Sequence, residues 1–234
     1  MSAGRRRAKN SVDHETFRDM GRKFAKAEMG PRWQQADRES KFPMELYHAA
    51  AKAGLIGLHA PESLGGADLG TTEEVIAVEE YAKVNPNFAI MPVIQGVAGG
   101  LLWDFGNEGH HQIARANNAG ECLLAIAVTE PEAGSDVQNV KTSARRDGDD
   151  WILNGIKSFI TLGGDCDVMM VLAQTDPSKG RHGMQFFAVD RRSPGITTPQ
   201  IKTYANRPLP TYRVMFDEVR VPDARRLDAG FGAI

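Results

Sequence analysis

Along the first half of the chain, apolar residues recur at intervals of three and four. Phe17, Met20, Phe24 and Ala27 form one such series, which predicts a helix with a single apolar face. Gly30-Pro31 should end it. Pro43 to Ala53 predicts a second helix, with Leu46, Ala49, Ala50 and Ala53 inward and Gly54 as its stop. Thr71-Thr72-Glu73-Glu74 supplies a hydroxyl cap and first-turn carboxylates. Val75, Ile76, Val78, Glu79 and Ala82 carry that helix to about Val84, and Asn85-Pro86 breaks it. Met91 to Phe105 is largely apolar and holds Gly96, Gly99 and Gly100. It predicts a buried helix with small residues at a close contact, each glycine lowering its propensity.

From Leu123 the pattern changes to short strands. Leu123 to Val128 is an unbroken apolar run, as in a strand buried on both faces. Pairing should end near Pro131, which has no N–H to donate. Asn154-Gly155 is a hairpin signal between Trp151-Ile152-Leu153 and Ile156 to Thr161. Val168 to Gln174, Gln185 to Val189, Ile196 to Pro199 and Tyr212 to Phe216 follow, with turns at Asp176-Pro177 and Ser193-Pro194-Gly195. The expected fold class is α+β: an N-terminal all-α helical domain, then an antiparallel β sandwich or barrel. The expected divisions are a disordered basic tail at 1–11, a helical domain at 12–121, a β domain at 122–223 and a final segment at 224–234.

Composition adds exclusions. With 41% apolar and 25% charged residues the chain is ordinary for a globular protein. A net charge of −2 argues against a nucleic-acid surface or a polybasic membrane patch. No unbroken apolar run approaches the ~20 residues that span a bilayer, and none near the N-terminus suggests a secretory signal. Cys122 and Cys166 are too few for a disulfide framework and read as reduced, partly buried thiols of a cytoplasmic protein. His110-His111 invites a metal, but adjacent helical residues do not share a face and no ligand cluster stands nearby. Solvent-facing histidines and no metal are expected.

Two stretches carry candidate chemistry. After the run at Leu123, Glu132 to Asp136 reads as a tight loop, in which Gly134 permits positive φ and close approach of a ligand. The Ser135 hydroxyl and loop N–H groups could hold a phosphate oxygen; the simpler reading is an Asx or Ser turn. Past Asn154-Gly155, alternation leaves Phe159 and Thr161 on one face and Ile160 on the other. An aromatic and a hydroxyl could wall and hydrogen-bond a flat heterocycle, while the simpler reading is a core Phe beside a satisfied Thr.

Taken together, the two stretches are far more specific. Thr129-Glu130-Pro131, with Ala133-Gly134-Ser135-Asp136, resembles a signature of the acyl-CoA dehydrogenase family nearly letter for letter. Asn154, Gly155, Lys157, Ile160 and Thr161 resemble the same family's Asn-Gly-x-Lys-x-Trp-Ile-Thr segment, with Phe159 in place of Trp. The resemblance runs from about Phe42 to the last residue. It implies α,β-dehydrogenation of an acyl-CoA thioester with hydride transfer to FAD. It implies that Ala127, Val128 and Thr129 contact the isoalloxazine, that Gly134 and Ser135 face the FAD pyrophosphate, and that Phe159, Ile160 and Thr161 line the flavin ring. The Ser135 loop would also border the CoA chain of the substrate. An electron-transfer flavoprotein as acceptor and a homo- or hetero-oligomer are further implications.

Some features depart from the family. Leu209-Pro210-Thr211 stands where a Ser-x-Thr phrase is usual, and Phe159 lacks the indole N–H. Residues 224–234 resemble the start of the family's third, helical domain, which supplies the catalytic base; the rest of it is expected to be absent, leaving a truncated chain inactive alone and an exposed helical face open to association. Neither Glu130 nor Glu132 is expected to replace that base. The alternatives are a non-catalytic or heteromeric partner subunit and an acyl-CoA oxidase relative; the intact Thr129 phrase disfavours a monooxygenase.

Overall fold

A computed structural model describes residue 10 and residues 12–233. Apart from Asn10, the expected disordered tail at 1–11 lies outside the described residues, as does the last residue of the final segment. The chain forms two compact units. One comprises Met1–Gly100, Gln112–Cys122 and Tyr204–Leu209; the other comprises Leu101–His111, Leu123–Thr203 and Pro210–Ile234.

The helical unit is built on α1 (His14–Phe24), α2 (Trp33–Glu39), α3 (Met44–Lys52), α4 (Thr71–Ala82) and parts of α5 (Pro86–Phe105) and α6 (Glu108–Asn118). Asp13 caps α1, its carboxylate accepting from Thr16 N at 2.8 Å. The inward face of α1 differs from the expected one. Phe17, Gly21, Ala25 and Met29 are buried, while Met20 and Ala27 are exposed. Gly21 faces α4 near Ala77, Glu80 and Tyr81, where a Cβ would make ordinary van der Waals contacts. In α3, Tyr47 is buried with Leu46 and Ala50, whereas Ala53 is exposed. The single proton of the Tyr47 hydroxyl lies within reach of the carbonyls of Asn117 and Cys122, at 2.9 and 2.8 Å. In α4, Val75 points outward and the cap is Gly70, whose N–H donates to Glu73 at 2.9 Å.

The α5 helix starts at Pro86, earlier than expected, with Asn85 accepting from Asn87 N at 2.9 Å. By length and composition this 20-residue helix could cross a bilayer. Half of that window is buried inside the protein, and Gln95 is fully buried, accepting from Asn117 Nδ2 at 2.7 Å. A core helix meets the same criterion. His110 is likewise buried rather than solvent-facing; its Nδ1 accepts from Asn107 N at 3.0 Å.

The β unit is one eight-stranded sheet: β1 (Leu124–Ala127), β2 (Ser143–Asp147), β3 (Asp150–Thr161), β4 (Val168–Gln174), β5 (Met184–Asp190), β6 (Ile196–Thr197), β7 (Gln200–Ile201) and β8 (Thr211–Pro222). Its order is β1-β4-β2-β3-β8-β6, with β5 also on β4 and β7 also on β8. Most pairs are antiparallel, as expected, but β1 runs parallel to β4 from Leu124↔Val168 to Ala127↔Val171, and β2 meets β4 in parallel at Ser143↔Gln174. The sheet is therefore mixed.

The expected hairpin at Asn154-Gly155 is overturned. The chain turns earlier, at Gly148, and β3 then runs unbroken through both residues. Gly155 sits at φ +151°, where the ladder to β8 shifts register between Leu153 and Gly155. A Cβ there would stand 2.7 Å from Thr142 Cα, so glycine serves a close backbone approach inside the strand rather than a turn.

Candidate functional site

All the sequence-predicted site residues lie in the β unit, where three segments meet. The first is the end of β1 and the turn after it. The apolar run Leu124 to Ala127 makes a buried strand, and Pro131 closes the turn in which Glu130 and Ala133 exchange both backbone hydrogen bonds, at 3.0 and 3.2 Å. The second is the lead into β2, at Lys141 and Thr142. The third is the middle of β3, from Lys157 to Thr161.

A buried ion pair joins them. The Lys157 ammonium is 0% exposed and donates to Glu130 Oε1 at 2.8 Å and to the Val128 carbonyl at 3.0 Å. The same carboxylate accepts from Thr142 N at 2.9 Å and Lys141 N at 2.7 Å. Buried charges persist when paired and fully hydrogen-bonded in this way. Burial pushes the Lys157 amine down to about 8, against the pull of Glu130. Burial pushes the Glu130 carboxyl up, but the charge and hydrogen bond of Lys157, with the N–H donors, carry it below its ordinary value. Beside the pair, Ser158 N donates to the Thr129 carbonyl at 2.9 Å.

The ladder between β3 and β8 slips between Lys157 and Ile160, a bulge that re-aims a side chain. Phe159 sits in it at φ +58°, and the residue is 65% exposed. Ile160 returns to the core, and Thr161 pairs with Thr211. Past the strand, Leu162 is left-handed and Gly164 lies so close to the Tyr212 ring that no Cβ fits. The Tyr212 hydroxyl donates to Asp165 at 3.0 Å; burial and then the Asp165 charge raise its pKa.

The predicted residues thus divide by what they can offer. Ala127 and Ile160 are buried, leaving their backbone at most. Val128, Thr129 and Thr161 are half-buried, and Phe159, Gly134 and Ser135 are exposed. Gly134 does not use positive φ, and a Cβ on it would meet nothing within 4 Å. Among the described residues, the N–H groups of Gly134 and Ser135 and the Ser135 hydroxyl have no partner. The Glu130–Lys157 pairing was not foreseen in sequence, where each residue stood out only as one letter of a motif. The available signal was a lysine inside an apolar strand pattern, Ile156-Lys157-Ser158-Phe159, which needs a partner if it points inward.

Residues 125–219 match the family described as acyl-CoA dehydrogenase, middle domain, and residues 11–113 match acyl-CoA dehydrogenase, N-terminal domain. The chain is 33% identical over 215 residues to the probable acyl-CoA dehydrogenase fadE25 of Mycobacterium leprae (strain TN), across 91% of this chain and 55% of that protein. It is 34% identical over 220 residues to the acryloyl-CoA reductase (NADH) of Anaerotignum propionicum, across 92% and 56%. A solved glutaryl-CoA dehydrogenase from Mycobacterium smegmatis, in complex with FADH2, superposes with a TM-score of 0.88 at 28% identity, across 96% of this chain and 58% of that one. The chain spans about half the length of the curated relatives it matches.

Proposed function

The chain belongs to the acyl-CoA dehydrogenase family, and from that premise we propose that it supplies the flavin-holding framework of an FAD-dependent oxidoreductase acting between Cα and Cβ of an acyl-CoA thioester. The observation that carries this reading is Phe159, an exposed ring aimed outward by a strand bulge beside the end of β1. Exposed apolar rings of this kind stack on flat heterocycles.

The residues fit the cofactor. Phe159 would lie against the isoalloxazine, with Thr161, Thr129 and the backbone of Ala127, Val128 and Ile160 around it. The Gly134 and Ser135 N–H groups and the Ser135 hydroxyl suit a pyrophosphate oxygen, and the open space at Gly134 leaves room for it. Ser135 would also border the CoA chain. When bound, the flavin supplies the two-electron acceptor for a hydride from Cβ.

Neither carboxylate of the loop is poised to take the Cα proton. Glu130 is fixed by three donors and held below its ordinary pKa, and Glu132 is lowered by its hydrogen bond to Lys141. The proposal therefore gives them no role as base. It extends to an electron-transfer flavoprotein as acceptor, a homo- or hetero-oligomeric assembly and a cytoplasmic setting. The likeness to a reductase supports a second reading, in which the same framework serves reduction of a 2-enoyl-CoA.

The test is to load the chain with FAD and add saturated acyl-CoA thioesters anaerobically. A perturbed band of bound flavin that shifts again on thioester addition is the expected result for a chain that supplies the framework and no base. Bleaching by NADH, followed by reoxidation with a 2-enoyl-CoA alone, would select the second reading. A flavin whose spectrum the chain leaves unperturbed, with or without thioester or NADH, would sink both.

A further inference from the structure

The Glu130–Lys157 pair is a fully buried charged group that the proposed chemistry does not use directly. Burying two charges is unfavourable unless geometry and further hydrogen bonds compensate, and a pair of apolar residues often packs as well. This pair has that compensation: ammonium and carboxylate share one hydrogen bond and make three more to backbone atoms, which joins three chain segments. Those segments are the end of β1, the lead into β2 and the residue two before Phe159. Because the Val128 carbonyl is occupied by Lys157 and the Thr129 carbonyl by Ser158 N, the β1 end and the β3 bulge form one frame.

We propose that Lys157, through Glu130 and the Val128 carbonyl, is the positioning residue that sets the orientation of the Phe159 ring relative to the end of β1. Lys157 itself reaches no ligand, since its ammonium is wholly buried. The inference rests on the flavin reading only for what the ring meets; the orientation itself is a property of the chain.

A tryptophan at 159 reports on this without any cofactor. The full chain carrying Phe159→Trp is compared with the same chain also carrying Lys157→Met, and with one carrying Lys157→Met and Glu130→Gln. The emission of the parent, which has Trp33, Trp103 and Trp151, is subtracted. With Lys157 present, the added indole, though exposed, should reorient more slowly in time-resolved anisotropy than in either other chain. Both other chains should show a more mobile indole than the reference and, with FAD as probe, roughly tenfold weaker binding, the scale of one lost charge-assisted hydrogen bond.

If Lys157→Met alone leaves an unpaired buried carboxylate and fails to fold, the doubly neutral chain decides, because removing both charges restores stability without restoring the frame. Unchanged anisotropy in a folded Lys157→Met or doubly neutral chain overturns the proposal. Failure of the reference chain to bind FAD, with the indole still mobilised by Lys157→Met, would instead refute the flavin reading and leave the positioning role standing.

Discussion

At Phe159 the backbone lies at φ +58°, a conformation that costs a non-glycine residue roughly 1–2 kcal/mol. The ring is mostly exposed, so packing within the described chain does not offset that cost. Phe159→Gly should therefore raise stability by about 1 kcal/mol in urea unfolding, while weakening FAD binding roughly tenfold, as loss of a stacking aromatic does. A less stable glycine variant would mean that the ring serves packing instead. Gly164 makes the opposite case. Its Cα lies against the Tyr212 ring, so Gly164→Ala should cost about 1–3 kcal/mol by overpacking, read from the same unfolding curves. Sequence alone exposed Phe159 as a motif position but could not give its strained backbone, which comes from the slipped ladder with β8. Nor could it give the pairing of Lys157, whose partner lies on a different strand.

Elements show where sequence pattern suffices and where it fails. The β4 strand, Val168–Gln174, lies within the bounds its apolar run predicts. Asn154-Gly155 carries a hairpin signal that the fold does not use, because Asp147-Gly148 offers a second turn signal seven residues earlier. Choosing between them depends on Thr142, which packs where a Cβ of residue 155 would be. The inward face of α1 also departs from its apolar pattern: Gly21 is buried toward α4 and Met20 is exposed. Between those helices, Arg18 and Arg22 of α1 and Lys83 after α4 converge on Glu80, at 2.9, 3.1 and 2.6 Å. The Lys83 hydrogen bond first, then Arg18, with Arg22 adding to them against burial, lower the Glu80 carboxyl to about 2 from 4.5. Its folded pKa lies below its unfolded one, so its contribution is complete above 4.5 and is lost as pH falls toward 2. Glu80→Gln should lower the melting temperature at neutral pH, and the gap to the parent should close as pH drops through that window. A gap independent of pH would show that the charge plays no part.

At the scale of the molecule, the order of a helical region followed by a β region was legible, because the change from a period near four to short turn-bounded runs is written along the chain. The placement of β1 parallel to β4 was not: an apolar run announces a buried strand without naming its neighbour, and these partners are 44 residues apart at Leu124↔Val168. The same limit applies to the site, whose three segments carry recognisable letters but are assembled only by the sheet. The central claim is that this assembly holds a flavin, and the most direct measurement is a titration of FAD with the full chain, following quenching and perturbation of the flavin's own spectrum. The account predicts saturation at one flavin per chain, and loss of most of that affinity with Phe159→Gly. A flavin that keeps its free-solution spectrum and fluorescence at every protein concentration would contradict it.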